Sequence, residues 1–169
     1  MAHTRYTLTV EEGEFGDASG ELPDLCIADF EQDGRSCDRT TMIRVADARG
    51  AGTSIRIDWF SMRSIDPGVQ TLTISATNML FFGARYFWGV IDLGSLTVVR
   101  REKCDEFFSF EQFPGAVVII TEYQAQSLSF SGESIHAVDI DVPAHYTLVD
   151  GGVKILCLHS DPEILKLKK

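Results

Sequence analysis

The 169-residue sequence is notable first for what is missing. No two of its four cysteines are spaced as CxxC and none stands beside a histidine, which argues against a structural zinc site. No stretch approaches ~20 consecutive apolar residues, so no transmembrane helix is expected. The opening MAHTRYTLTV has no apolar run of signal-peptide length, so nothing marks the chain for export, and a cytoplasmic protein with free thiols is the expectation. No P-loop, nucleotide-binding glycine fingerprint, nucleophile elbow, HExxH or calcium loop occurs. The stretch EEGEFGDASGE has carboxylates and glycines but not the alternating spacing that calcium requires. Serines and histidines are present without triad spacing, so neither catalysis nor a cofactor is expected.

Basic residues are also locally absent. From Glu11 to Asp33 there are nine acids and no Lys or Arg, within a net charge of −10. Such a surface repels phosphate backbones and argues against nucleic acid or an anionic membrane as partners. A solvated acidic loop is the simpler account of the run; a face that covers a basic protein is the functional one.

What is present is period two. TRYTLTV, TTMIRVA, TSIRIDWF, QTLTISAT, SLTVVRR, AVVIITEY, QSLSFS, SIHAVDIDV, HYTLV and VKILCLH alternate or run apolar, are rich in β-branched residues, and are bounded by Gly, Pro, Asp or Ser. Leu25 and Ile27 mark a further short strand within the acidic segment. Breaks at ARGAG, DPG, FPG, SG and DGG are of hairpin type. No 3.6-residue repeat persists for three turns, although DPEILKLKK, with Asp161 placed to cap and Pro162 in the first turn, predicts a short C-terminal helix or a frayed tail. The fold expected is all-β: a jelly-roll or cupin-like barrel, or a β-sandwich, of ten or more short antiparallel strands with little helix. A chain this long buries roughly 70% of its unfolded surface without disulfides or metal. It is read as one β domain over 1–169, with two decayed half-barrels, about 1–100 and 101–169, as the alternative.

FFGARYFWGV (residues 81–90) packs five aromatics and an arginine into ten positions. Read as one strand, it puts Phe81, Gly83, Arg85, Phe87 and Gly89 on one face. Phe82, Ala84, Tyr86, Trp88 and Val90 take the other, continuous face, which is assigned to the core. Two glycines flanking Arg85 invite close approach to the backbone. Arg85, Tyr86 and Trp88, with Tyr123, are therefore candidate ligand contacts, and the surplus of aromatics suggests a homodimer.

His136, His145 and His159 fall in three successive predicted strands, so two could meet across neighbours. His136 shares a row with Val138 and Ile140, and His159 with Val153, Ile155 and Cys157. A core histidine satisfied by one hydrogen bond is the simpler reading of either, and His136 and His145 are retained as candidate ligand contacts. Asp139 and Asp141 share the opposite strand face, where charge blunting an exposed edge accounts for them. Arg44 and Arg56, on the polar faces of two hairpin-linked strands, could grip a carboxylate together. Asp58, on the same face as Arg56, offers instead a surface ion pair of little value.

From Phe107 onward the chain resembles the C-terminal part of a cupin half-barrel. GAVVIITEYQAQSLSFSGESIHAVDIDVPAHYTLVDGGVKILCLH runs strand, turn, strand, then D-x-D-V-P-A-H, a Gly-Gly turn and a last apolar strand. FEQFPG followed by TEYQAQSLSF is similar to the HutD-like group of cupins. The resemblance covers residues 107–159. It implies a jelly-roll-like barrel whose lumen holds a small ligand, in a group better regarded as binding or regulatory than enzymatic. His145 corresponds to the late histidine ligand of metal-using cupins. The first metal motif has no counterpart, because Glu122 is present without its histidine pair. No metal is expected on that ground; a metal, if bound, would fall to His136, His145 and His159.

Three functions compete. A non-catalytic barrel binding a small molecule, with a regulatory output, would show a concave apolar pocket with a few convergent polar groups. An acidic protein-interaction module of the inhibitor or immunity type would form a salt-sensitive complex with a basic protein. A metal-dependent cupin enzyme would carry stoichiometric metal.

Overall fold

The computed structural model describes residues 6–15, 22–29, 36–47, 50, 52–61, 68–141 and 143–168. Phe30, Asp66, Pro67 and the acidic residues within 16–21 and 30–35 lie outside the described residues. The chain is all-β. Fifteen strands and no helix are found among the described residues. They form four sheets, none of which closes on itself, and divide into two units, residues 1–103 and 104–169. Among the described residues no helix is long and apolar enough to cross a membrane.

Unit 1 holds two four-stranded sheets. Sheet I has the order β1 (Thr7–Glu14), β3 (Arg39–Ala46), β4 (Gly52–Trp59), β2 (Leu25–Ala28). Strand β2 is the exception to the antiparallel expectation, since it runs parallel to β4. It is clamped at both ends: the Asp24 amide donates to the Ser54 carbonyl at 2.9 Å and the Asp29 amide to the Asp58 carbonyl at 2.7 Å. Sheet II is the meander β5 (Gln70–Ile74), β6 (Met79–Ala84), β7 (Phe87–Asp92), β8 (Thr97–Lys103). Alternation sends Ile43, Val45, Ile55, Ile57 and Trp59 of sheet I into one cluster with Leu80, Phe82, Ala84, Phe87 and Ile91 of sheet II. Thr41, fully buried on that inner face, is satisfied by the Trp59 indole, which donates to its hydroxyl at 3.0 Å.

The stretch FFGARYFWGV is a hairpin rather than a single strand. Ala84 pairs with Phe87 across a two-residue turn at Arg85 and Tyr86. Such a turn reverses the parity of facing: Ala84 and Phe87 stand opposite each other on one face although their numbers differ by an odd interval. The continuous face expected from the sequence is therefore split. Phe82 and Ala84 share the inner face with Phe87, Gly89 and Ile91, while Trp88 and Val90 turn to the other side with Phe81. Phe81, Phe82, Phe87, Trp88 and Val90 are each at most 1% exposed. Two buried strands account for the aromatic surplus that had suggested a dimer.

Unit 2 contains sheet III, the meander β9 (Phe107–Phe113), β10 (Ala116–Thr121), β11 (Gln124–Ser129), β12 (Ser134–Asp139), and sheet IV, β13 (Pro143–Val149), β14 (Gly152–Cys157), β15 (Glu163–Lys166). The strand–turn–strand order read over 107–159 is present. The strands nevertheless pair with their neighbours in chain order, without the long crossings of a jelly roll. The expected C-terminal helix is strand β15 instead. Leu165 and Leu167 alternate into the core at 0% and 7% exposure, and the ladder to β14 outweighs the local helix signal. Ser127, fully buried, donates its hydroxyl to the Lys166 carbonyl at 2.5 Å. The Lys166 amide donates to His136 Nδ1 at 3.4 Å, so both backbone polar groups of Lys166 are held by sheet III, on the edge of β15 away from β14.

Candidate functional site

The richest polar arrangement lies on the outer face of sheet I. Strand alternation sets there Thr9, Glu11 and Gly13 of β1, Thr40, Met42 and Arg44 of β3, and Ser54, Arg56 and Asp58 of β4. Phe15, just past the end of β1, continues the row and is 49% exposed. Arg56 lies beneath its ring, with the guanidinium carbon 5.4 Å from the centroid, a cation–π contact. Arg44 Nη1 and Glu11 Oε1 pair at 2.6 Å, both well exposed. Asp24 Oδ2 accepts the Ser54 amide at 2.8 Å.

Asp58 is the buried anchor of this face. It is 6% exposed and accepts the Thr40 hydroxyl and Arg56 Nε, each at 2.7 Å. The surface ion pair expected from the sequence is thus a largely desolvated one. Its hydrogen bond, reinforced by the Asp58 charge, holds the Arg56 guanidinium above its ordinary value against the cost of burial. Cys26 Sγ lies 3.9 Å from Asp58 Oδ2, and burial followed by the Asp58 charge pushes its thiol up. Burial also raises the Cys37 thiol. Both shifts disfavour the reactive thiolate. Arg44 and Arg56 do not converge on an open site, because each is neutralised by a carboxylate of the chain itself.

The remaining sequence candidates are dispersed. Arg85 and Tyr86 form the β6–β7 turn, with the guanidinium carbon 5.6 Å from the tyrosine ring centroid. Trp88 is 1% exposed and faced by Arg100, whose guanidinium carbon stands 5.3 Å from the indole. Tyr123, in unit 2, is 51% exposed at the β10–β11 turn, and a hydrogen bond to Glu122 pushes its phenol up. His136 is a half-buried acceptor on β12. His145 is exposed on β13 and stacks on Tyr146 with centroids 6.3 Å apart. His159 is exposed in the bend after β14, not in a strand. Among the described residues no three of His, Cys, Asp and Glu form a group that could hold a metal. Asp139 ends β12, which is an edge of sheet III, and is exposed as expected.

Two features went unread in the sequence. Phe15 was legible as the continuation of the row Thr9, Glu11, Gly13, but the acidic composition disguised the end of the strand. The pairing of Tyr146 with Glu111 carried no local signal, since the two stand on β13 and β9. The Tyr146 hydroxyl donates to Glu111 Oε1, and that bond, then burial, then the Glu111 charge push the phenol from 10.0 up to about 12. A raised folded value means that its stabilising contribution is complete below pH 10 and is lost as the pH climbs through about 12. Tyr146→Phe should remove the last step of the near-ultraviolet phenolate titration and flatten that alkaline loss of stability. An alkaline titration identical to wild type would refute the assignment.

No protein-family model matches the sequence, and no curated protein matches it. Among solved structures the chain is similar to Saccharomyces cerevisiae Sqt1, with TM-score 0.49, 8% identity, and coverage of 80% of this chain and 43% of that one. It is also similar to Kluyvelomyces marxianus Hsv2, with TM-score 0.40, 14% identity, and coverage of 76% and 47%. The chain spans under half the length of either protein.

Proposed function

We propose that this chain is a non-catalytic binding module that engages a basic protein surface through the outer face of sheet I. The observation that carries this reading is Phe15: a half-exposed aromatic, held over Arg56 and set on a face with the exposed carboxylate Glu11. A rigid aromatic beside charged groups has the make-up of an interface hot spot. The acidic run supports it further, because Glu11 of β1 and Asp24 at the start of β2 are exposed at the two edges of this face. Fixed carboxylates steer a basic partner better than carboxylates on a loose tail.

Affinity capture at low salt with wild type, Phe15→Ala and Glu11→Lys tests this. A basic protein should bind wild type and be released as salt is raised. Phe15→Ala should weaken it by roughly tenfold, as expected for loss of a hot-spot aromatic. Glu11→Lys should mainly slow its association. Equal capture by all three proteins, or binding indifferent to salt, would reject the reading. The small-molecule alternative rests on Arg85 and Tyr86 at the β6–β7 turn; a ligand whose affinity falls on Tyr86→Ala and not on Phe15→Ala would favour it.

A further inference from the structure

We propose that copies of this chain associate by strand addition, the outer edge of β13 in one copy pairing with the outer edge of β1 in the next. Among the described residues β13 pairs only with β14, and β1 only with β3. Sheet IV has three strands where the other three sheets have four. Its core row ends abruptly. Leu148, Val153 and Leu165 stand side by side in register, with Val153 and Leu165 at 1% and 0% exposure and Leu148 at 62%. Sheet I ends in the same way. Val10, Ile43 and Ile55 are in register, with the last two fully buried and Val10 40% exposed. Each apolar row lacks one neighbour.

Charge selects the pairing. An exposed edge strand is normally blunted by charge, proline or a bulge; β13 has its proline and register shift at Pro143–His145, and from there to Val149 it carries no Lys, Arg, Asp or Glu. Strand β1, TLTVEEGE, carries three glutamates, so two copies of β1 side by side would set like charges against each other. The strands of sheet IV carry two lysines, Lys154 and Lys166, against one carboxylate, Glu163. Lys154 is in register with Thr147, on the face of sheet IV opposite Leu148. With Leu8 and Val10 set beside Tyr146 and Leu148, Thr9 and Glu11 fall on the same side as Thr147 and Lys154. The regular stretch His145–Val149 of β13 fits within the eight residues of β1. Because the two edges differ, the contact is head-to-tail and builds rings or chains rather than a two-fold dimer.

The test is sedimentation velocity across the micromolar range with wild type, Val10→Lys and Leu148→Lys. Both substitutions fall at exposed positions, and circular dichroism checks the fold. Wild type should grow with concentration, and each variant alone should stay monomeric. An equimolar mixture should form heterodimers and nothing larger, because it retains one intact β1 edge and one intact β13 edge. If either variant fails to fold, a peptide of residues 7–14 should dissociate wild-type assemblies, whereas a scrambled peptide should not. A wild type that stays monomeric, a Val10→Lys protein that still assembles, or a mixture that does not pair would each overturn the proposal, as would a native peptide without effect.

Discussion

Gly89→Ala is expected to cost about 3 kcal/mol, the upper end of ordinary overpacking, although it adds a single methyl group. Gly89 pairs with Phe82 across the β6–β7 ladder. A Cβ there would lie 2.5 and 2.6 Å from the tip of the Phe82 ring and 2.7 Å from the Arg100 carbonyl oxygen. Neither can yield easily. Phe82 is fully buried and packs edge-on against Phe87, with centroids 5.7 Å apart at 72°, and the carbonyl belongs to the β8 backbone. Shortening the ring separates the two clashes. Phe82→Leu should relieve the first and leave the second, so Gly89→Ala in that background should cost about half as much, a coupling of about 1.5 kcal/mol between touching residues. Urea unfolding followed by tryptophan fluorescence measures the cycle. A Gly89→Ala protein within about 0.5 kcal/mol of wild type, the range of an inconsequential surface change, would show that the close approach does not constrain the fold.

The same glycine shows what the sequence could and could not say. That something approaches the backbone at Gly89 was legible, because a glycine inside a strand pattern has few other uses. What approaches is the ring of Phe82, seven residues earlier, and this required knowing that the chain turns at Arg85 and Tyr86. Neither residue is a hairpin signal of the Asn-Gly kind, so period-two reading ran straight through the turn and reversed the facing of half the stretch. The opposite error occurred at DPEILKLKK. There the local capping signal was real, but a partner strand 12 residues back, from Leu165 to Val153, decided the outcome. Strand existence was legible over most of the chain because burial imposes alternation, but β9 carried no such pattern and β15 was masked by the local helix signal. Strand partners were not, because pairing depends on separation in space rather than on spacing in sequence. This is also why the outer face of sheet I was invisible as a unit: Phe15 follows β1, Thr40 belongs to β3 and Asp58 to β4, and the long acidic connection separates the first from the other two.

Asp58→Ala should be the most damaging single substitution on that face, at about 3 kcal/mol, the lower end of the range for breaking a buried ion pair. The lower end applies because the Arg56 side chain keeps 20% exposure, against 8% for Asp58, and water can partly replace the lost carboxylate. The Thr40 hydroxyl also loses its acceptor, and the end of β4 that holds the Asp29 amide is loosened. Asp58→Asn is the informative control. It keeps the side-chain volume and an acceptor for Thr40 but withdraws the charge, and should cost about 1 to 2 kcal/mol, the scale of a hydrogen bond to a charged group. Combining it with Arg56→Met, which preserves an apolar stem beneath Phe15 while removing the guanidinium, should cost less than the two substitutions summed, since neither partner is then left buried alone. Denaturant melts of the four proteins decide the matter. If the double substitution costs as much as the sum, Arg56 and Asp58 act independently. Phe15 would then rest on a platform that the ion pair does not hold in place.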